Sequence, residues 1–246
     1  MYYFGEGAPQ DYSRAFDCYL KAASQGDASA QYSLGTMYED GKGVPQDYSK
    51  AIEWYRRAAN QGHTGGQINL GHMYYDGNRV SQDYAEAFGW FLKAASQGEV
   101  IGQYNTGEMY ESGKGTPQDY SKAFEYYFKA AKQGDADAQA ALGAMYEEGN
   151  GVSRNNSEAV KWYLKAANQG HTRAQYNLGC MYECDNGIPQ DYSKAFKWYL
   201  KAAKQGNADA QRAVASMYED GNGVAKSPAK AKRWYQKAAD QDAVDT

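Results

Sequence analysis

Three histidines and three cysteines are the side chains best suited to chemistry at neutral pH, and their spacing argues against joint use. His63 and His171 fall at equivalent turns three repeat periods apart, hence far apart in space, and His72 stands alone on its helix face. None has a serine or cysteine nucleophile at hand with a carboxylate to orient it, the arrangement that nucleophilic catalysis needs. Cys180 and Cys184 lie one helical turn apart and could supply two soft ligands, but a structural zinc takes four, and Cys18 is more than four periods away. Free thiols are expected, with no metal and no cofactor. Gly-Lys-Gly at 41–43 and 113–115 invites a phosphate-loop reading. A phosphate loop places Ser or Thr after its lysine at a strand-to-helix turn; here glycine follows lysine between two helices. Asn155-Asn156-Ser157 fits a glycosylation acceptor, yet Asn155 reads better as a helix cap, with Glu158 completing a capping box.

The elements that carry these residues are helices of a soluble chain. Hydrophobic residues make up 42% and charged ones 23%, and the net charge of −4 is spread over interspersed signs. No basic block is present to neutralise a phosphate backbone, so nucleic acid is not an expected partner. No apolar run approaches the ~18 residues that a membrane-spanning helix needs, so no membrane insertion is expected. The opening Met1-Tyr2-Tyr3-Phe4-Gly5-Glu6-Gly7 lacks the basic flank and apolar core of a secretory signal. With an odd number of cysteines, a cytoplasmic location with reduced thiols is the expectation.

A repeat decides the architecture. Gln-Gly occurs at 25–26, 61–62, 97–98, 133–134, 169–170 and 205–206, always 36 residues apart, and Met-Tyr keeps the same period from 1–2 to 217–218. The chain is therefore read as one array: a half-repeat 1–26, full repeats 27–62, 63–98, 99–134, 135–170, 171–206 and 207–242, and a tail 243–246. In 27–62, Ala30, Leu34, Met37 and Tyr38 form the apolar face of a first helix. Gly41-Lys42-Gly43-Val44-Pro45 breaks the chain, Asp47 caps a second helix, and Ala51, Ile52, Trp54, Tyr55 and Ala58 make its apolar face before Gly62 ends it. The basic residue before each closing Ala-Ala, such as Arg57 or Lys93, suits the negative end of the helix dipole. Gly35, Gly71, Gly107, Gly143 and Gly179 recur inside first helices at about 1 kcal/mol each against alanine, which implies close backbone approach there, with the Trp-Tyr pairs filling the space beside it. The unvarying Gln31, Gln67, Gln103, Gln139, Gln175 and Gln211 are read as bonding a neighbouring backbone group. One hairpin alone leaves half its apolar surface wet, so stability must come from stacking.

The pattern Ala-x-x-x-Leu-Gly-x-Met-Tyr-x-x-Gly-x-Gly-Val-x-x-Asp-Tyr-x-Lys-Ala-x-x-Trp-Tyr-x-x-Ala-Ala-x-x-Gly resembles the Sel1-like repeat, a relative of the tetratricopeptide repeat, over essentially the whole chain. The resemblance implies an all-α fold, a right-handed α-solenoid superhelix of 36-residue helix-turn-helix repeats with first helices lining its concave face, and a non-enzymatic adaptor role. Members serve in membrane-protein quality control, in cell-wall and cell-cycle signalling, and in bacterial contact with host cells. Arg79 and Asp185 replace loop glycines, Thr106 replaces leucine, Ser153-Arg154-Asn155-Asn156 replaces Pro-Gln-Asp-Tyr, and Val214-Ala215 replaces Leu-Gly. Some exported relatives carry a disulfide in each repeat; this chain has no such pairs. Other functional classes are a regulatory arm fused to a kinase or other catalytic domain, and a β-lactam-binding or hydrolysing enzyme. The last demands an activated serine and lysine, and no Ser-x-x-Lys is expected in a pocket.

A partner is expected on the first helices. Registers 29, 33, 36 and 40 vary freely among the repeats and fall within about 60° of arc, away from the apolar face. This stripe includes Asn69, His72, Asn105, Glu108 and Asn177, and on its flank register 32 reads Tyr32, Ile68, Tyr104, Ala140, Tyr176, Arg212. Asparagines could satisfy both N–H and C=O of an extended peptide, and tyrosines give rigid amphipathic contact area. The alternatives stand beside this: register 32 packs against the next first helix, and the asparagines are merely solvated.

Met1 coincides with the methionine of Met-Tyr, and Asp242 replaces the closing glycine, so neither end supplies a polar capping element. Two expectations follow. The chain is a segment of a longer array or fusion, or it ends here with one helix exposed or covered by end-to-end self-association.

Overall fold

The computed structural model describes residues 10–77, 79–184 and 188–244, with side chains to 241. Asp185 and the opening Met1 to Gly7 lie outside the described residues. Among those described there are thirteen helices and no strand. They belong to two compact units, Met1–Asp119 and Tyr120–Thr246. The first holds α1 (Tyr12–Ser24), α2 (Ala28–Asp40), α3 (Tyr48–Asn60), α4 (Thr64–Asp76), α5 (Tyr84–Ser96) and α6 (Val100–Ser112). The second holds α7 (Tyr120–Lys132), α8 (Ala136–Glu148), α9 (Asn156–Asn168), α10 (Thr172–Glu183), α11 (Tyr192–Lys204), α12 (Ala208–Asp220) and α13 (Pro228–Val244). Within each unit every helix packs on its chain neighbours, with α8 also reaching α10. This is an all-α solenoid of helix-turn-helix repeats.

Helix ends follow from the side chains placed there. Asp47 Oδ1 accepts from Lys50 N at 3.0 Å, and that backbone bond holds its carboxyl below the usual range. Asp11, Asp83 and Asp191 cap α1, α5 and α11 in the same way. Asn155 caps α9 through Glu158 N at 3.1 Å. The expected reciprocal arm of a capping box does not form. Asn155 N already donates to Tyr146 O at 2.8 Å, and Glu158 turns to Lys161 Nζ at 2.6 Å. Second helices close on Gln and Gly, as where Gly26 N donates to Ala23 O and Asp27 N to Ala22 O. Where Asp242 stands in place of that glycine, α13 runs on to Val244.

The core is alanine, leucine and methionine from first helices against alanine and an aromatic ring from second helices. Leu34, Met37, Ala51 and Tyr55 are fully buried. Each large side chain so buried contributes roughly 1.5–3 kcal/mol. The recurring helical glycine faces a ring rather than a backbone, which corrects the expectation of backbone contact. A methyl group on Gly35, Gly71, Gly143 or Gly179 would overlap the ring of Tyr55, Phe91, Tyr163 or Tyr199 respectively. Ala215 is the natural contrast: the matching Tyr235 is 41% exposed.

Polar groups inside this core are paired along the repeat. Gln31 Nε2 donates to Ala23 O at 3.2 Å, and its Oε1 accepts from Gln61 Nε2 at 2.7 Å, so one carboxamide ties α1, α2 and the end of α3. Gln67, Gln139 and Gln175 repeat both bonds. Gln211 keeps only the first, its Oε1 having no partner, because Gln241 stays helical in the extended α13 instead of closing the helix. Thr106, fully buried in place of leucine, returns its hydroxyl to Gly102 O at 2.7 Å.

Candidate protein-binding face

In the first unit the free stripe lies on α2, α4 and α6. Ser29, Asp40, His72, Asp76, Ile101 and Ser112 are exposed, Ser33, Thr36, Gly65, Asn69 and Glu108 are half-buried, and Asn105 is buried. Tyr32 stacks on His63 at 4.6 Å between ring centres and lies 5.6 Å from the Tyr55 ring, so it packs against the start of the next first helix. Tyr104 is half-buried. Ile68 and Asn105 are each only 9% exposed, and Asn105 Nδ2 donates to Ile101 O at 2.9 Å within its own helix. Neither offers a ligand much surface. Asn69 is half-buried near the Tyr55 hydroxyl. His72 is exposed and meets Phe91 edge-on at 5.1 Å; partial desolvation there lowers its pKa, against the opposing pull of Asp76 and Glu108. Tyr75 donates to Glu108 Oε1 at 3.4 Å and accepts from Lys114 Nζ at 2.9 Å. The lysine of the second Gly-Lys-Gly thus ties its loop to the preceding repeat, while Lys42 pairs with Asp40 at 2.8 Å.

In the second unit the stripe lies on α8, α10 and α12. Asn177, half-buried, lies near the Tyr163 hydroxyl as Asn69 lies near that of Tyr55. Tyr176 lies 5.6 Å from the Tyr199 ring, and burial pushes its hydroxyl up to about 12. Cys180, half-buried beside Tyr199 and Tyr176, has its thiol pKa raised by desolvation, whereas Cys184 is exposed. The three cysteines are unbridged, and among the described residues no three His, Cys, Asp or Glu side chains form a metal-sized group.

Two histidines found no place in the sequence reading beyond their distance from one another. His63 Nδ1 accepts from Gly66 N at 3.2 Å and His171 Nδ1 from Ala174 N at 3.0 Å, so both cap first helices where Asp27 and Asn207 do so elsewhere. Ser227-Pro228-Ala229-Lys230 is a Ser-x-x-Lys, but Ser227 starts α13, its carbonyl accepting from Ala231 N, and Lys230 is exposed over the Tyr218 ring at 5.1 Å.

A second pairing was also missed. Tyr55 donates to Glu39 Oε2 at 2.6 Å, Tyr163 to Glu147 at 2.8 Å and Tyr199 to Glu183 at 2.7 Å. The one full repeat with Phe91 in place of that tyrosine also has Tyr75 in place of that glutamate. The joint replacement is a signal that comparison of the repeats could have caught. The basic residue before Ala-Ala likewise does more than face the helix end: Lys93, Lys165 and Lys201 lie 3.8, 3.6 and 3.8 Å from the centres of Trp90, Trp162 and Trp198.

Helix pairs that bury each other's apolar faces, repeat after repeat, define a helical-repeat protein. The chain belongs to the Sel1 repeat family, whose profile matches residues 1–27, 28–63, 65–99, 100–135, 136–171, 172–207 and 208–242. Sel1 repeats generally act as protein-interaction scaffolds. The chain is 42% identical to c5321, a protective antigen present in uropathogenic Escherichia coli strains, with a TM-score of 0.93 over 99% of this chain and 52% of that one. It therefore spans about half the length of that relative. A Sel1 repeat protein from Oxalobacter formigenes is 36% identical, with a TM-score of 0.82 over 97% of this chain and 69% of that one. Immunity protein Pa5087 from Pseudomonas aeruginosa, 23% identical with a TM-score of 0.51 over 88% of this chain and 82% of that one, shares the fold alone. No curated protein matches the sequence.

Proposed function

We propose that this chain is a non-enzymatic adaptor that holds a protein or an extended peptide on the face of its first helices. The observation that carries the reading is the contrast within those helices. Registers 30, 31, 34 and 37 are buried and nearly invariant, while the adjoining stripe varies and most of its end positions are exposed. Tyr32, Asn69, His72, Tyr104 and Glu108 in the first unit, and Tyr176 and Asn177 in the second, are the contact residues. Asn69 and Asn177 are half-buried, and their carboxamides offer a ligand both a donor and an acceptor. Ile68 and Asn105 contribute shape from below. Twelve acidic side chains on α2, α4, α6, α8, α10 and α12, against Arg173 and Arg212 alone, favour a ligand with basic character. We place the protein in the cytoplasm, in keeping with its unbridged cysteines.

Affinity capture from the source organism, with wild type beside a His72→Ala/Glu108→Ala variant, tests this reading. The variant is expected to melt like wild type and to lose its partner. Identical capture by both overturns the proposed face. Hydrolysis of nitrocefin by the purified chain would overturn the non-enzymatic reading.

A further inference from the structure

We propose that the outer face of α11 is a second docking surface, built for an acidic protein segment with an apolar anchor side chain. Lys194, Lys197, Trp198, Leu200, Lys201 and Lys204 line a groove of about 290 Å³ there. Its floor is Leu200 and the half-buried indole of Trp198, and its rim is cationic. Lys194 pairs with Asp191 at 3.2 Å. Among the described residues no carboxylate lies within ion-pair distance of Lys197, Lys201 or Lys204.

Helix stability does not ask for this charge. The macrodipole favours Lys201 and Lys204 near the C-terminus, but it disfavours Lys194 in the first turn and is indifferent to Lys197 at mid-helix. α11 carries no acidic residue at all. Comparison along the chain isolates the feature further. The register of Lys197 reads Asp17, Glu53, Gly89 and Glu125 in the earlier second helices, then Lys161, Lys197 and Arg233. The sign changes while the neighbouring Trp162, Trp198 and Trp234 remain. Lys197 and Lys204, unpaired beside the apolar Leu200 and Trp198, are complementary to carboxylates flanking one apolar side chain. A stacked nucleic-acid base fits less well, because Lys201 already covers the indole face at 3.8 Å.

The full chain is titrated into a short fluorescein-labelled peptide of repeated Glu-Glu-Leu triplets, and binding is read by fluorescence anisotropy. Wild type is expected to bind, less tightly as salt is raised, and Lys197→Glu/Lys204→Glu to weaken binding by roughly tenfold or more. Lys21→Glu/Lys93→Glu on α1 and α5, which makes the same change in charge elsewhere, is expected to leave it unchanged, as is His72→Ala/Glu108→Ala. Melting curves by circular dichroism show that each variant is folded. Equal binding by the α11 variant, no binding by wild type, or tighter binding of single-stranded DNA or phosphatidylserine vesicles through the same lysines overturns the proposal.

Discussion

The hydroxyl of Tyr163 lies where water has been squeezed out, and Glu147 is its acceptor. Burial first, and the glutamate charge after it, raise the ionisation of this phenol far above its ordinary range, so it stays a donor at any working pH. An interior donor that loses its acceptor costs about 1–3 kcal/mol, whereas removing both partners costs much less. Glu147→Leu is expected to destabilise by that amount in urea unfolding, and Tyr163→Phe in the same background to recover most of it. Strictly additive costs would refute the coupling. Phe91 with Tyr75 shows that one repeat has already made the paired change. The pairing was hard to see beforehand because its members are 16 residues apart on different helices, with no local rule to join them.

Among the elements, the caps are the most legible and hold the clearest pH dependence. Asp, Asn and His at the same register all offer an acceptor to the third residue onward. Histidine does so only when neutral at Nδ1. Desolvation lowers the pKa of His63 below its ordinary 6.5, with Asp27 opposing. Above 6.5 the ring is neutral in both states and the cap is fully present. As pH falls below 6.5 the unfolded chain takes up the proton first, and stability is lost until the lowered folded pKa has been passed. The melting temperature of wild type should therefore fall, relative to His63→Asn, as pH drops from about 7 to about 5; parallel curves for the two proteins would contradict the cap. The glycine inside five of the six full repeats was legible as a helical cost that must be repaid, with the Trp-Tyr pair beside it, but not that the ring lies directly against it. Only the packed helices show Tyr199 against Gly179.

At the scale of the molecule, packing on chain neighbours governs how damage spreads. In the second unit α8 touches α7, α9 and, more lightly, α10. A branched side chain at Gly143 would overlap the Tyr163 ring. In Gly143→Val, amide hydrogen exchange should quicken in α7, α8 and α9, less in α10, and not in α12 or α13, as nearest-neighbour stability requires. A uniform rise through the unit would mean that its helices fold as one indivisible block.

The sequence alone determined the period, the helix pairs, the caps of second helices and the glutamine row, because each of these depends on residue type at short separation and is restated every 36 residues. Tertiary packing alone decided how much of the free stripe stays open. Asn105 and Ile68 are buried, Asn69 and Asn177 are half-buried, and Tyr32 rests on His63. A position can vary because it meets solvent or because its neighbour varies with it. Helical periodicity cannot separate the two, since whether a flank residue touches water or the next helix depends on how closely successive repeats stack.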